Sequence, residues 1–425
     1  ELQNAAQVAN ALCTVAELRL AMNQVQEASE AGRTAESIFK RLKDSKGEAR
    51  VLVDVVAKVE ALKGESAVAQ LAAEQAARLF QSLADSDGES KALELLALQH
   101  VAAEEHAEAL QKLGEAALRY RKAGDQLAEA RMLTAAVNVH LDEGHGAKAL
   151  KSAEAAMGLC SKLGNVAKKQ TALTLQMLSK AHLALGGHWQ KALEAAREAQ
   201  RHHSELTDAE GEAAARMLVA EAQLAGGLSQ EALSGASQIA EMRREAGDRG
   251  GEAGALFYCF RAHSLAGRTD LALTTLHQAL NLHWEMSDRP GAMKCLYALA
   301  QLHLAAGEFS ASLTALGEVL GMVKQYRRNE RMEASVLQLA AKAMLELGDS
   351  KVFRGLPSSP AEAALQAVEA FRSGGDLLGL ASALRTLSAS HLHKKAAFKA
   401  ITASEESCTL LRSLGDVDGE VESSL

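Results

Sequence analysis

The chain is poor in the residues that interrupt or specialise a fold. Of its 425 residues only 3 are proline, 5 are cysteine and 3% are aromatic. So few prolines leave long stretches free to be helical. Hydrophobic residues still make up 48% of the chain, so alanine and leucine, both good helix formers, must build most of the core. The cysteines Cys13, Cys160, Cys259, Cys295 and Cys408 are odd in number, lack CxxC spacing and fall within helical patterns. That argues against a disulfide framework or a zinc ribbon. It points instead to free, mostly buried thiols in a reducing compartment, the cytoplasm or an organelle interior. No apolar run reaches the ~18 residues that a membrane span requires. The net charge of −8 is mixed in sign along the chain, which offers no basic stripe to a phosphate backbone, so nucleic acid is not an expected partner. There is no glycine-rich phosphate loop, HExxH pair, nucleophile elbow or kinase motif set. Neither an enzyme nor a cofactor is expected.

What the chain does have is a repeated punctuation mark. Gly247-Asp248-Arg249-Gly250-Gly251-Glu252-Ala253, Thr207-Asp208-Ala209-Glu210-Gly211-Glu212-Ala213 and Gly415-Asp416-Val417-Asp418-Gly419-Glu420 are clear copies, with fainter ones around Gly47 and Gly88. The positions equivalent to Gly251 are Gln7, Gly47, Gly88, Ala128, Lys168, Gly211, Gly291, Arg331, Gly379 and Gly419. They lie 40 residues apart except for intervals of 41 at Gly88, 43 at Gly211 and 48 at Gly379. A period of this size, with pairs of amphipathic helical patterns between the marks, signifies units that stack on their neighbours. The spacing predicts one continuous array over 1–425, with units starting near 4, 44, 85, 125, 165, 208, 248, 288, 328, 376 and 416, and an inserted loop at 350–360.

One unit shows the logic. Gly247 provides a helix stop and Asp248 an N-cap, so a helix can begin at Arg249 and carry Leu256, Cys259, Phe260 and His263 to a break near Gly267. A second helix runs from about Thr269 to Met286 with Ala272, Leu273, Leu276, Ala279 and Leu280 on one stripe. Leu299-Ala300, His303, Gly307, Ser312, Leu316 and Val319, and likewise Gly267, Ala272, Leu276 and Ala279, resemble the tetratricopeptide repeat pattern. The forty-residue spacing is similar to the longer variant of Pins-like polarity adaptors and of sensor domains in some bacterial regulators. HEAT and armadillo arrays have similar periods, but the column Ala149, Ala192, Ala232, Ala272 and Ala400 suits closer tetratricopeptide packing. Histidine commonly replaces the family's tyrosine here, and its proline after the second helix is missing. The resemblance implies an all-α fold, a right-handed α-α superhelix of about ten helix pairs, whose first helices line a concave groove.

His100, His140, His182, His263, His303 and His391 recur once per unit. Residues spread along an array cannot converge on one tetrahedral ion, so each ring is expected to pack between helices and bond a neighbouring turn, with no metal bound. The cluster His140, Asp142, Glu143 and His145 is expected to be a solvated turn, and His202-His203 to lie on the surface.

The concave row implied by the resemblance is Cys13, Asp54, Glu94, Thr134, Gln176, Met217, Phe257, Tyr297, Leu337 and Arg385. Met217, Phe257, Tyr297 and Leu337 are four consecutive large apolar members, an anchor patch rimmed by Glu221, Arg261, Lys294 and Gln301. An amphipathic helix or an extended peptide of another protein would fit it. The family's basic clamp for a carboxy-terminal peptide is not reproduced at these positions. A second expected contact is the insertion, with Phe353, Arg354 and Leu356 on a protruding loop and Ser359-Pro360-Ala361-Glu362 opening the next helix. Uncapped ends at Glu1 and Leu425 suggest a segment of a longer protein, or ends covered by partners in a larger complex. The expected function is a non-catalytic scaffold or adaptor; the alternative is a ligand- or peptide-sensing module of a longer signalling protein.

Overall fold

A computed structural model describes residues 2–22, 24–103, 105–325, 330–348 and 353–414. Every regular element among them is a helix. The eleventh unit expected near 416 lies outside the described residues, as do residues 350–352 of the inserted loop. The chain divides into two compact units, Glu1–Gly226 and Gly227–Leu425.

The first unit contains α1 (Leu2–Ala21), α2 (Val25–Leu42), α3 (Ser45–Val51), α4 (Ala57–Leu62), α5 (Ser66–Ser82), α6 (Ser86–Ala102), α7 (His106–Ala123), α8 (Gln126–Asp142), α9 (Gly146–Leu163), α10 (Lys168–Ala184), α11 (Trp189–Glu205) and α12 (Ala209–Ala225). A π-turn at Leu52–Val56 joins α3 to α4. The second unit contains α13 (Ser229–Glu245), α14 (Arg249–Leu265), α15 (Thr269–Glu285), α16 (Arg289–Ala305), α17 (Phe309–Gln325), α18 (Glu330–Leu347), α19 (Pro360–Ser373), α20 (Leu377–His393) and α21 (Ala397–Leu414). Within each unit, helices adjacent in sequence pack as antiparallel pairs, and each pair packs on the next.

Starts and stops follow the chemistry expected of them. Asp44, Asp85, Asp125, Asp208, Asp248, Asp288 and Asp376 are N-caps. In each, Oδ1 accepts the backbone N–H three residues on, at 2.8–3.1 Å. Before Asp248, Gly247 takes the left-handed conformation (φ 72°) that ends the preceding helix. Ser359 caps α19, with Pro360 in its first turn, and Glu362 reaches back to the N–H and hydroxyl of Ser358.

The core is thin and alanine-rich because the helices approach closely. Ala149, Ala192, Ala232, Ala272 and Ala400 are all buried. At the same register Ser312 is fully buried and donates its hydroxyl to the Ala300 carbonyl at 2.8 Å. Serines of first helices do the same across a pair: Ser179 to the Ala192 carbonyl and Ser388 to the Ala400 carbonyl, both 2.9 Å. A small residue with its own hydrogen bond lets two backbones close without stranding a polar group.

Candidate binding cleft

The second unit holds a cavity of about 770 Å³ between α16, α18 and α20. Leu304 at the end of α16, Phe309 at the start of α17, Leu345 on α18 and Leu392 on α20 give it apolar walls. Its polar side is cationic. Lys342 on α18 and Arg385 on α20 both line it, with Glu346 one turn beyond Lys342 and the hydroxyls of Ser382, Thr386 and Ser404 alongside. Burial, and then the charge of Arg385, pull the Lys342 ammonium below the usual lysine range. Among the described residues no carboxylate pairs with Lys342. Two cations and one carboxylate thus line the cavity, and Lys342 is the cation that an entering anion would relieve.

Arg385 is a member of the concave row, but Lys342, Ser382 and Thr386 escaped the sequence reading. Lys342 lies five residues after the row member Leu337, while Ser382 and Thr386 lie three before and one after Arg385, and the packing of α18 on α20 brings Lys342 beside them.

The other row members divide. Phe257 is half-buried, its ring 5.5 Å from that of Phe260, and the Lys294 ammonium stands 4.9 Å above it. Arg261 stacks over the Tyr258 ring at 5.6 Å. Tyr297 is also half-buried. Burial raises its phenol pKa, partly offset by a hydrogen bond with the exposed Gln301. Met217 and Glu221 are half-buried in the first unit. Leu337 departs from expectation, being 1% exposed. Val336, Ala340, Ala341 and Met344 of α18 are buried with it, so this helix is enclosed over too wide an arc for Leu337 to serve as an open anchor. Gln176 is likewise turned inward.

The insertion is not a protrusion where it is described. Phe353 and Leu356 are half-buried, Arg354 is exposed, and the segment lies against α17 at Gly317. A Cβ on Gly317 would overlap the Arg354 carbonyl oxygen and meet Leu356 Cγ at 3.8 Å. Gly355 (φ 85°) makes the turn that allows this approach. Gly317→Ala should therefore undock the loop. Tryptic cleavage after Arg354 is expected to accelerate about tenfold, the effect of ~1.4 kcal/mol of lost docking when cleavage follows the open population. An unchanged rate would mean that the loop is held elsewhere.

Five of the six members of the histidine column fall into two classes. His100 and His303 bond the carboxylates of Glu105 and Glu308, five residues on, at 2.7 and 2.5 Å. The Nδ1 atoms of His140, His182 and His263 are buried without a hydrogen-bond partner, and desolvation lowers the pKa of each ring. His203, expected on the surface, is fully buried. The thiols of Cys13, Cys259 and Cys295 are pushed up to about 11, chiefly by burial, so they stay protonated and are poor nucleophiles.

No family model matches the sequence, and no curated protein matches it. Solved structures do match the fold. A Rap protein complexed with competence and sporulation factor aligns over 97% of this chain and 99% of its own, with a TM-score of 0.54 at 10% identity. The apo form of the quorum sensor NprR from B. thuringiensis aligns over 83% of this chain and 99% of its own, with a TM-score of 0.54 at 16% identity. The fold is that of tetratricopeptide-like helix-pair repeats.

Proposed function

We propose that this chain is a non-catalytic binding module that holds an extended, acidic segment of another protein in the cleft of its second unit. One observation carries the reading, the unpaired Lys342 beside Arg385 at an apolar cavity of about 770 Å³. That volume suits a few side chains and a short backbone rather than a folded surface. A carboxylate would bridge the two cations while neighbouring apolar groups of the same segment cover Leu304, Leu345 and Leu392. Phe257 and Tyr297, with Lys294 and Gln301, would continue the contact along the row expected to be concave.

Whether the occupant is a structural partner or a signal separates a scaffold from a sensor. Two proteins of similar fold, a quorum sensor and a Rap protein complexed with competence and sporulation factor, favour the sensing role. The scaffold reading rests on the tandem array.

The test is a pull-down from the native source with wild type, Lys342→Glu plus Arg385→Glu, and Phe257→Asp plus Tyr297→Asp, each verified as folded by circular dichroism. Loss of a specific partner on charge reversal is expected, with affinity reduced about 100-fold or more, as when charge pairing turns to repulsion at a partly enclosed site. Retention by the charge-reversed protein would remove the cleft as the site; loss only on changing Phe257 and Tyr297 would move it to that row. A captured short peptide would indicate a sensor, and a captured folded subunit a scaffold.

A further inference from the structure

The turn between α8 and α9 carries three metal-ligating side chains, His140, Glu143 and His145. One ligand atom from each lies within 4.8 Å of the others. Glu143 Oε2 is 3.1 Å from His145 Nδ1 and 3.8 Å from His140 Nδ1. Tetrahedral zinc, with bonds of about 2.0–2.1 Å to nitrogen and oxygen, places its ligand atoms about 3.3 Å apart. The longer separations, up to 4.8 Å, would have to contract by side-chain rotation.

Comparison with an equivalent turn shows what has changed. In the eighth repeat the turn reads His303-Leu304-Ala305-Ala306-Gly307-Glu308, and in the fourth His140-Leu141-Asp142-Glu143-Gly144-His145. Histidine, leucine and glycine keep their places, and both glycines are left-handed, with φ of 78° and 76°. The backbone bond from the last residue to the histidine carbonyl is 2.8 Å in both. In the eighth repeat the final carboxylate satisfies the histidine. In the fourth, a second imidazole stands there instead, the ligating carboxylate of Glu143 occupies the fourth position, and His140 Nδ1 is left buried with no hydrogen-bond partner. Lys148 is the nearby charge that opposes a cation, and Glu143 the one that favours it.

We propose that His140, Glu143 and His145 form a binding site for a zinc-class divalent transition metal. Both imidazoles bind through Nδ1, Glu143 supplies one carboxylate oxygen, and a solvent-facing position is left open beside the exposed His145. Two imidazoles with one carboxylate select zinc and its transition-metal neighbours over magnesium or calcium, which prefer all-oxygen shells. The turn holds the three groups within reach of one another before any ion arrives.

The test uses the full chain, stripped by chelator and titrated with zinc by calorimetry and with cobalt by visible spectroscopy. One saturable equivalent and the intense spectrum of tetrahedral cobalt are expected. His145→Asn alters an exposed residue whose side chain makes no cap bond to α9, so it should fold. It is expected to weaken binding at least about 100-fold, the upper range seen even for outer-shell losses, whereas His303→Asn should leave binding intact. Ala306→Glu with Glu308→His transplants the ligand set into the eighth repeat and should add a second equivalent. No saturable equivalent in the native protein, binding unaffected by His145→Asn, or no second equivalent in the folded transplant would each overturn the proposal.

Discussion

Replacing Gly88 by alanine is expected to destabilise the first unit by about 2–3 kcal/mol, whereas the same change at Gly158 should stabilise it by about 0.5–1 kcal/mol. Both glycines lie within helices, where alanine is ordinarily preferred because it restricts the unfolded chain. Their surroundings differ. A Cβ on Gly158 meets nothing within 4 Å. On Gly88 it would press into the face of Phe80, reaching Cγ at 2.7 Å and the ring edge closer still. Phe80 is itself 4% exposed and packed among Ala49, Leu52, Ala76 and Leu96, so the ring has nowhere to retreat. Chemical denaturation of the two variants gives the comparison, and equal signs would refute the steric account. A double-mutant cycle with Phe80→Leu should show favourable coupling, since the smaller side chain removes part of the collision.

The same pairing explains the punctuation mark. Eight residues before each marker lies the side chain that covers it: Phe39 on Gly47, Phe80 on Gly88, His203 on Gly211, Arg243 on Gly251, His283 on Gly291 and Phe371 on Gly379. Where the marker is Lys168 or Arg331, the residue eight before is the small Cys160 or Val323. Tyr120 and Ala128 are the compromise, both buried in one cluster. A large flat group at the end of one helix pair thus selects glycine at the start of the next. The glycines of Gly-Asp pairs such as Gly247 and Gly375 do the separate work of breaking a helix, with positive φ, which the markers lack. Gly251→Ala should cost less than Gly88→Ala because the groups it meets, the carboxylate of Asp248 and the side chain of Arg243, can turn aside more readily than a buried phenyl ring.

Periodicity, helix pairs, aspartate caps and the alanine column were legible because each depends on local chemistry repeated at one spacing. The reason for the marker glycines was not, since a glycine in sequence reads first as a backbone break and its partner lies in the preceding helix. The cleft was half legible. Arg385 stood in the concave row, but Lys342 joins it only through contact between α18 and α20. Leu337 and Phe257 occupy one register, yet one is buried and the other partly open. Burial at a given row depends on how closely adjacent first helices pack, and no single repeat encodes that. The insertion showed the same limit: its prolines announced a helix start, but nothing in its own residues pointed to Gly317 as its seat.

His203→Leu is expected to cost about 2–4 kcal/mol, combining lost packing with stranded polar groups. The His203 ring is fully buried in the first unit. Its Nδ1 lies 2.9 Å from Asp208 Oδ2, and its Nε2 lies 3.1 Å from the side-chain nitrogen of Gln176. That nitrogen also donates to the Gly211 carbonyl at 3.0 Å, which sets the orientation of the amide. It must therefore donate to His203 Nε2, so the ring carries its hydrogen on Nδ1 and donates to Asp208. Asp208 in turn uses Oδ1 to cap α12 at the Gly211 N–H. One polar chain thus ties α10, α11 and α12 together. His203→Phe, installing the ring that earlier repeats use, should cost less, about 1–2 kcal/mol, because it keeps the packing and gives up hydrogen bonds. The bond from Gly211 and then that from His203 hold the Asp208 carboxyl below its ordinary pKa. A depressed pKa stabilises the fold above the ordinary carboxylate range, and that contribution fades as pH falls through the lowered value. The stability gap between wild type and Asp208→Asn, measured by denaturant titration from neutral to strongly acidic pH, should accordingly be widest at neutral pH and shrink in acid. A gap that stays constant, or widens toward acid, would remove the charged carboxylate from the account and leave the His203 ring as packing alone.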